Sequence, residues 1–347
     1  MINIVFPYKS KYMENVRKIT CLHDIGENAR RQYIDAQSTF TAWEQAVKEA
    51  AEVRGGMYWK RQGGSEYLIR TSPSNAQKSL GPRSSETEQI YSRFTERKTV
   101  AEARERTLAD ELVRHQRMNR ALYVGRAPQI LVDILSMLQR ASLSEHFSVI
   151  GTHALYAYEA AAGVRVANPE ALATQDVDLL WDTRKRLSFV TQMKLQGSSM
   201  ISLLRKVDPT FEVRQDQLYT AVNAKGFEVD IIRREAIEGD PHPLQLTDNE
   251  EDFWATQARR AGTLLSGPQF SAIVVSSTGR MARLQTISPA AFCEFKRWMG
   301  TQPDRDPMKR NRDLLQAGIV EELIKEFLPQ HAGTQVQGDG KASAVGA

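Results

Sequence analysis

Apolar residues recur at a helical period from Ser38 to Val53, at Phe40, Trp43, Val47 and Ala50, and the run stops at Gly55-Gly56, where a left-handed helix cap belongs. Met57–Arg61 and Glu66–Arg70 then flank Gln62-Gly-Gly-Ser65, a β-hairpin signal. Thr71 to Arg83, rich in Ser, Pro, Asn and Gly, reads as a loop. Ser85-Glu-Thr-Glu88 has the form of a capping box and opens a helix. Charged residues dominate from Glu96 to Arg120, with Leu108, Leu112 and His115 as a thin apolar stripe, so this helix is expected to be long and solvated. Pro128 starts another, whose Ile130, Leu131, Ile134, Leu135 and Leu138 suit packing on a sheet.

The middle of the chain alternates short apolar runs with helical spacing. Phe147-Ser-Val-Ile leads through Gly151-Thr152 into an Ala-rich helix at Ala154 to Ala162, the pattern of a strand, a tight turn and a helix start. Asp176–Trp181 is a second strand. Thr183 to Val207 is helical with a break at Gly197-Ser-Ser. Gln217–Asn223 and Phe227–Ile232 form a strand pair turned by Ala224-Lys-Gly226, which brings Asp230 beside the Asp176 strand. Beyond Glu238 the composition turns to Pro and polar residues. A strand pair at Ser271–Ser276 and Met281–Ile287 follows, then helices at Pro289–Met299, Pro307–Gln316 and Ile319–Phe327. Gln330 to Ala347, without aromatic residues, is expected to be disordered.

Together these elements define an α/β protein: a mixed sheet flanked by helices at 121–238, a mostly helical N-terminal region at 1–120 with a hairpin near 57–70, and a mainly helical C-terminal region at 239–329. The composition is that of a globular chain, with 41% hydrophobic and 25% charged residues in 347. A net charge of +4 does not by itself argue for nucleic acid. The two cysteines, Cys21 and Cys293, lack metal-ligand spacing and fit a reducing compartment. No signal-peptide pattern opens the chain and no apolar run is long enough to span a bilayer, so the expectation is a cytoplasmic protein without a membrane partner.

The candidate chemistry lies in three carboxylates. A strand's period of two puts Asp176 and Asp178 on one face and Val177 on the other, and paired hard oxygen donors suit Mg²⁺. Asp230 sits inside an apolar strand, where an unpaired carboxylate is expensive unless it has a task. The blander reading satisfies all three with nearby Arg and backbone N–H groups. The free N–H groups of the Gly151 turn and the Thr152 hydroxyl suit a phosphate. His153 beside them reads as packing or capping. Basic residues outnumber acidic ones eight to three between Arg280 and Arg312; within that stretch, Lys309 is spaced to pair with Asp313 across one helical turn.

The run from Phe147 to Arg233 resembles the polymerase-β-type nucleotidyltransferase superfamily, marked by a strand, Gly-Ser or Gly-Gly, a helix, Asp-x-Asp and a third Asp. The whole chain resembles a bacterial nucleotidyltransferase-fold family of unassigned substrate. Thr152 replaces the usual Ser, and the interval from Gly151 to Asp176 is long, with Gly163 to Ala173 the natural place for an extra loop. The resemblance implies an enzyme that moves a nucleoside monophosphate from a nucleoside triphosphate to a hydroxyl, releasing pyrophosphate. Asp176, Asp178 and Asp230 would serve two Mg²⁺ ions, or Mn²⁺, while Gly151, Thr152, Lys296 and Lys309 would hold the triphosphate. The acceptor is open among RNA, a protein hydroxyl and a small molecule; Tyr58, Trp59 and Tyr67 amid Lys60, Arg61, Arg70, Lys78 and Arg83 favour RNA. A non-catalytic nucleotide- or nucleic-acid-binding module of a toxin–antitoxin or defence pair is the alternative, and it has no need of a complete carboxylate triad.

Overall fold

The computed structural model describes residues 22–332. A short strand, β1 (Leu22–Asp24), leads into α1 (Glu27–Glu52), which pairs with α2 (Ser85–Ala121) to form an arm. Between them lie three antiparallel strands, β2 (Gly56–Gln62), β3 (Ser65–Thr71) and β4 (Gln77–Pro82). At 37 residues α2 extends about 55 Å at 1.5 Å per residue. The core follows as α3 (Gln129–Arg140), β5 (Phe147–Ile150), α4 (Leu155–Ala162), β6 (Val164–Val166) and β7 (Asp176–Trp181). Then come α5 (Arg186–Gln196), α6 (Met200–Arg205), β8 (Glu212–Val213), β9 (Thr220–Val222), β10 (Glu228–Arg234) and β11 (Thr256–Ala258). The chain continues through α7 (Ala261–Ser266), β12 (Gln269–Val275) and β13 (Met281–Ile287) to α8 (Pro289–Gly300) and α9 (Pro307–Phe327).

The central sheet runs β5-β7-β10-β9-β8, with β11 also on β10. β7 and β10 are parallel, whereas β5 on β7 and β9 on β10 are antiparallel, so the sheet is mixed and the α/β expectation is met. Strand alternation sets its faces. In β10, Val229, Ile231 and Arg233 are buried and Glu228, Asp230 and Ile232 look the other way. One hydrophobic cluster runs from Leu22 through Leu131, Leu179 and Val229 to Phe292, Val320 and Leu328, fixing α8 and α9 to the sheet. Among the described residues, no helix is long and apolar enough to cross a membrane.

Several elements differ from expectation. The hairpin turns on two residues, Gly63 and Gly64, both at positive φ, which type I′ turns demand and glycine supplies. The expected loop after Thr71 carries β4, an edge strand whose Ser, Gly and Pro disguised it. α1 starts a full eleven residues before Ser38; its first turns bury Ala29, Gln32 and Ala36 with Tyr33 as their one large ring, too sparse an apolar stripe to show in the sequence. The cap of α2 is Ser84 with Thr87, one residue upstream of the expected box. α9 is continuous through Gly318, since burial of Ala317, Ile319, Val320 and Leu323 outweighs a glycine cost of about 1 kcal/mol. The long interval after Gly151 is filled by β6, which pairs with β1, and a 3-10 turn at Pro169–Ala171. Of the expected tail, residues 333–347 lie outside the described residues, as does Cys21.

Candidate active site

Parallel pairing of β7 with β10 sets Asp178 opposite Asp230 and Asp176 opposite Glu228. One carboxylate oxygen each from Asp176, Asp178 and Asp230 lies within 4.8 Å of the others, and all three residues are partly buried. The Thr174 hydroxyl donates to Asp176. Thr220, across the ladder on β9, donates to Asp230 Oδ1 at 2.6 Å. Among the described residues none of the three forms an ion pair; Lys296 and Arg305 act on Asp178, and Arg214 on Asp230, only from a distance.

Crowding is visible in the proton affinities. Burial first, then the charges of Asp176 and Asp230, push the Asp178 carboxyl up to about 7, against the pull of Lys296 and Arg305. Burial also raises Asp230, with Asp176 and Glu228 adding to it and the Thr220 hydrogen bond opposing. Three clustered carboxylate oxygens without a cationic partner are a hard-donor set that fits a divalent cation.

Gly151 ends β5 at φ +73°, and a Cβ there would stand 2.3 Å from Asp178 Oδ2. A side chain there would be strained by the backbone angle and would force the Asp178 carboxylate to shift. Thr152 follows in a buried 3-10 turn, its Oγ1 accepting from Gln316 Nε2 at 3.1 Å. His153 packs its ring against Phe227 and Tyr156, and burial lowers its pKa to about 4, which fits the packing reading.

Lys296 is buried on α8, and its Nζ donates to Asp313 Oδ1 at 2.7 Å. Arg305 Nε donates to the other oxygen of Asp313 at 2.9 Å. Asp313 is fully buried (0 % exposed) and thus holds two cations whose charge is felt at Asp178. The expected Lys309–Asp313 pair is therefore replaced: Lys309 is exposed on the first turn of α9, and Asp313 points inward to Lys296 and Arg305. Sequence reasoning missed Arg305, Asp313, Gln316 and Thr220 as parts of the site.

A protein-family model described as nucleotidyltransferase matches residues 129–338, well over half of the chain and all of the elements above from α3 onward. The chain belongs to that nucleotidyltransferase family, and it is a transferase. No curated protein and no solved structure matches it.

Proposed function

We propose that the protein is a Mg²⁺-dependent nucleotidyltransferase of the polymerase-β type, transferring a nucleoside monophosphate from a nucleoside triphosphate to a hydroxyl acceptor. The observation that carries this is the unpaired cluster of Asp176, Asp178 and Asp230 beside the Gly151-Thr152 turn. The three carboxylates would hold two Mg²⁺ ions, or Mn²⁺, which when bound offset the charge on the triphosphate and on the developing pyrophosphate.

The chain's own groups account for the rest. Thr152 and the backbone N–H groups of its turn bind phosphate oxygens, and Gly151 permits the close approach. Lys296, held by Asp313, presents its ammonium to the triphosphate, and Lys309 meets the outer phosphates from the rim. Arg305 spends only Nε on Asp313, so its two terminal nitrogens are left for the same task. The acceptor oxygen attacks the α-phosphorus in line, the bond to pyrophosphate breaks, and the hydroxyl proton passes to Asp230. Its raised pKa suits a base, and Thr220 occupies only one of its oxygens.

RNA is the preferred acceptor, on the strength of the arm-tip sheet, where Tyr58, Lys60, Arg61 and Lys78 are exposed. Two of the expected basic contacts are spent internally. Arg83 pairs with Glu66 and Glu88, and Arg70 lies over the Phe94 ring and donates to backbone carbonyls. The test is to incubate the protein with each α-labelled nucleoside triphosphate, Mg²⁺ and cell extract, then digest with RNase or protease. Label released by RNase supports RNA. Label released only by protease, or already in a small-molecule fraction, rules it out in favour of those acceptors.

A further inference from the structure

Gln316 lies one turn beyond Asp313 on the same face of α9 and is fully buried (0 % exposed). Its amide nitrogen donates to the Ala171 carbonyl at 2.6 Å and to Thr152 Oγ1 at 3.1 Å, 164 residues away in sequence. The Ala171 carbonyl only accepts, so the amide must present its nitrogen to this side, and both of its hydrogens are spent. A hydroxyl has a single hydrogen. Because Thr152 Oγ1 accepts from Gln316, its own hydrogen has to point elsewhere, and among the described residues no protein acceptor takes it. The same helix holds the adjoining segment of the core, Arg312 Nη1 donating to the Ala173 carbonyl at 2.7 Å, just ahead of Asp176.

We propose that Gln316 is a positioning residue for the phosphate subsite: by donating into Thr152 Oγ1 it turns the hydroxyl's hydrogen toward the triphosphate, making Thr152 an obligate donor. α9 is on this account part of nucleotide recognition and not only a cover over the core. The inference rests on Thr152 being a phosphate contact, as in the function proposed above, but it makes a separate demand, namely that Gln316 acts through that hydroxyl.

The test is a double-mutant cycle on binding, read by calorimetry with each nucleoside triphosphate and Mg²⁺. Thr152→Val removes the hydroxyl at nearly constant volume, and Gln316→Met removes the donors. Each is expected to weaken triphosphate binding about tenfold, the worth of one phosphate hydrogen bond. The double variant is expected to be no weaker than Thr152→Val alone, because the two changes remove one interaction. Gln316→Leu, which also removes the donors and sets no acceptor against the Ala171 carbonyl, gives the same comparison should the Met variant not fold. Additive losses would overturn the proposal and leave Gln316 as a tie to Ala171. Unchanged binding in Thr152→Val, with binding lost in Asp178→Asn, would overturn it while sparing the nucleotide reading. Binding of no triphosphate by the wild type would end both.

Discussion

Asp178 on β7 stands directly across from Asp230 on β10 in a parallel pairing, with Gly151 closing against the Asp178 carboxylate from the third side. The sheet thus gathers like charges that it does not itself neutralise, an arrangement costly to the fold unless a bound cation offsets it. Several expectations follow from that tension.

Asp178→Asn should stabilise the metal-free protein and disable it as a transferase. The substitution removes a buried charge repelled by Asp176 and Asp230. Thermal unfolding at pH 8 without metal should shift upward in the variant, and added Mg²⁺ should stabilise the wild type alone. A variant that melts lower than wild type without metal would contradict the charge-crowding account.

The pH dependence has a defined sign. Asp178 has a folded pKa raised to about 7 from the ordinary 3.8, so its contribution to stability is fully present below about pH 4 and is lost as pH rises through about 7. The metal-free protein should therefore lose stability between pH 5 and pH 8 from this group, with Asp230 contributing in the same direction. Since a cation competes with the proton, Mg²⁺ affinity should rise over the same interval. Melting curves across that range, with and without Mg²⁺, check both; a Mg²⁺ effect independent of pH would count against Asp178 as a ligand.

Gly151→Ala combines a positive φ with a Cβ 2.3 Å from Asp178 Oδ2. A destabilisation of roughly 1–3 kcal/mol is expected in denaturant titration, along with weakened Mg²⁺ binding. Wild-type values for both would show that the turn relaxes freely.

On the proposed function, in which the Lys296 ammonium, held by Asp313 at 2.7 Å, meets the triphosphate, Lys296→Met should weaken triphosphate binding far more than monophosphate binding. Lys309→Met, at an exposed position, should do the same to a smaller degree. Equal losses for both ligands would return either lysine to a structural or solvated role.

The Asp176–Asp178 pair was legible in the sequence because a strand's period of two places the two carboxylates together. The β9–β10 hairpin sets Asp230 against Thr220, whereas its place beside Asp178 comes from parallel pairing of β10 with the remote β7, which no local pattern dictates. The Gly151 turn, like the Asp pair, was legible locally. Gln316, Asp313 and Arg305 were not, since their roles arise from contacts between remote segments, such as Gln316 with Thr152, to which no local pattern points. Lys296 could be named only through resemblance. Where fold expectations failed, at β4 and in α9, local composition suggested a loop or a break that pairing and burial overrode. Lys309 and Asp313 had suitable helical spacing, but a buried lysine and Arg305 took the carboxylate first.

Nucleotidyl transfer at this cluster is tested outright by comparing label incorporation from α-labelled nucleoside triphosphates by wild type, Asp176→Asn, Asp178→Asn and Asp230→Asn. Mg²⁺-dependent incorporation with pyrophosphate release is expected of the wild type, and a loss of at least about a hundredfold in every variant while each remains folded. Incorporation that persists in any folded variant would remove that carboxylate from the site; incorporation that persists in all three would contradict the account.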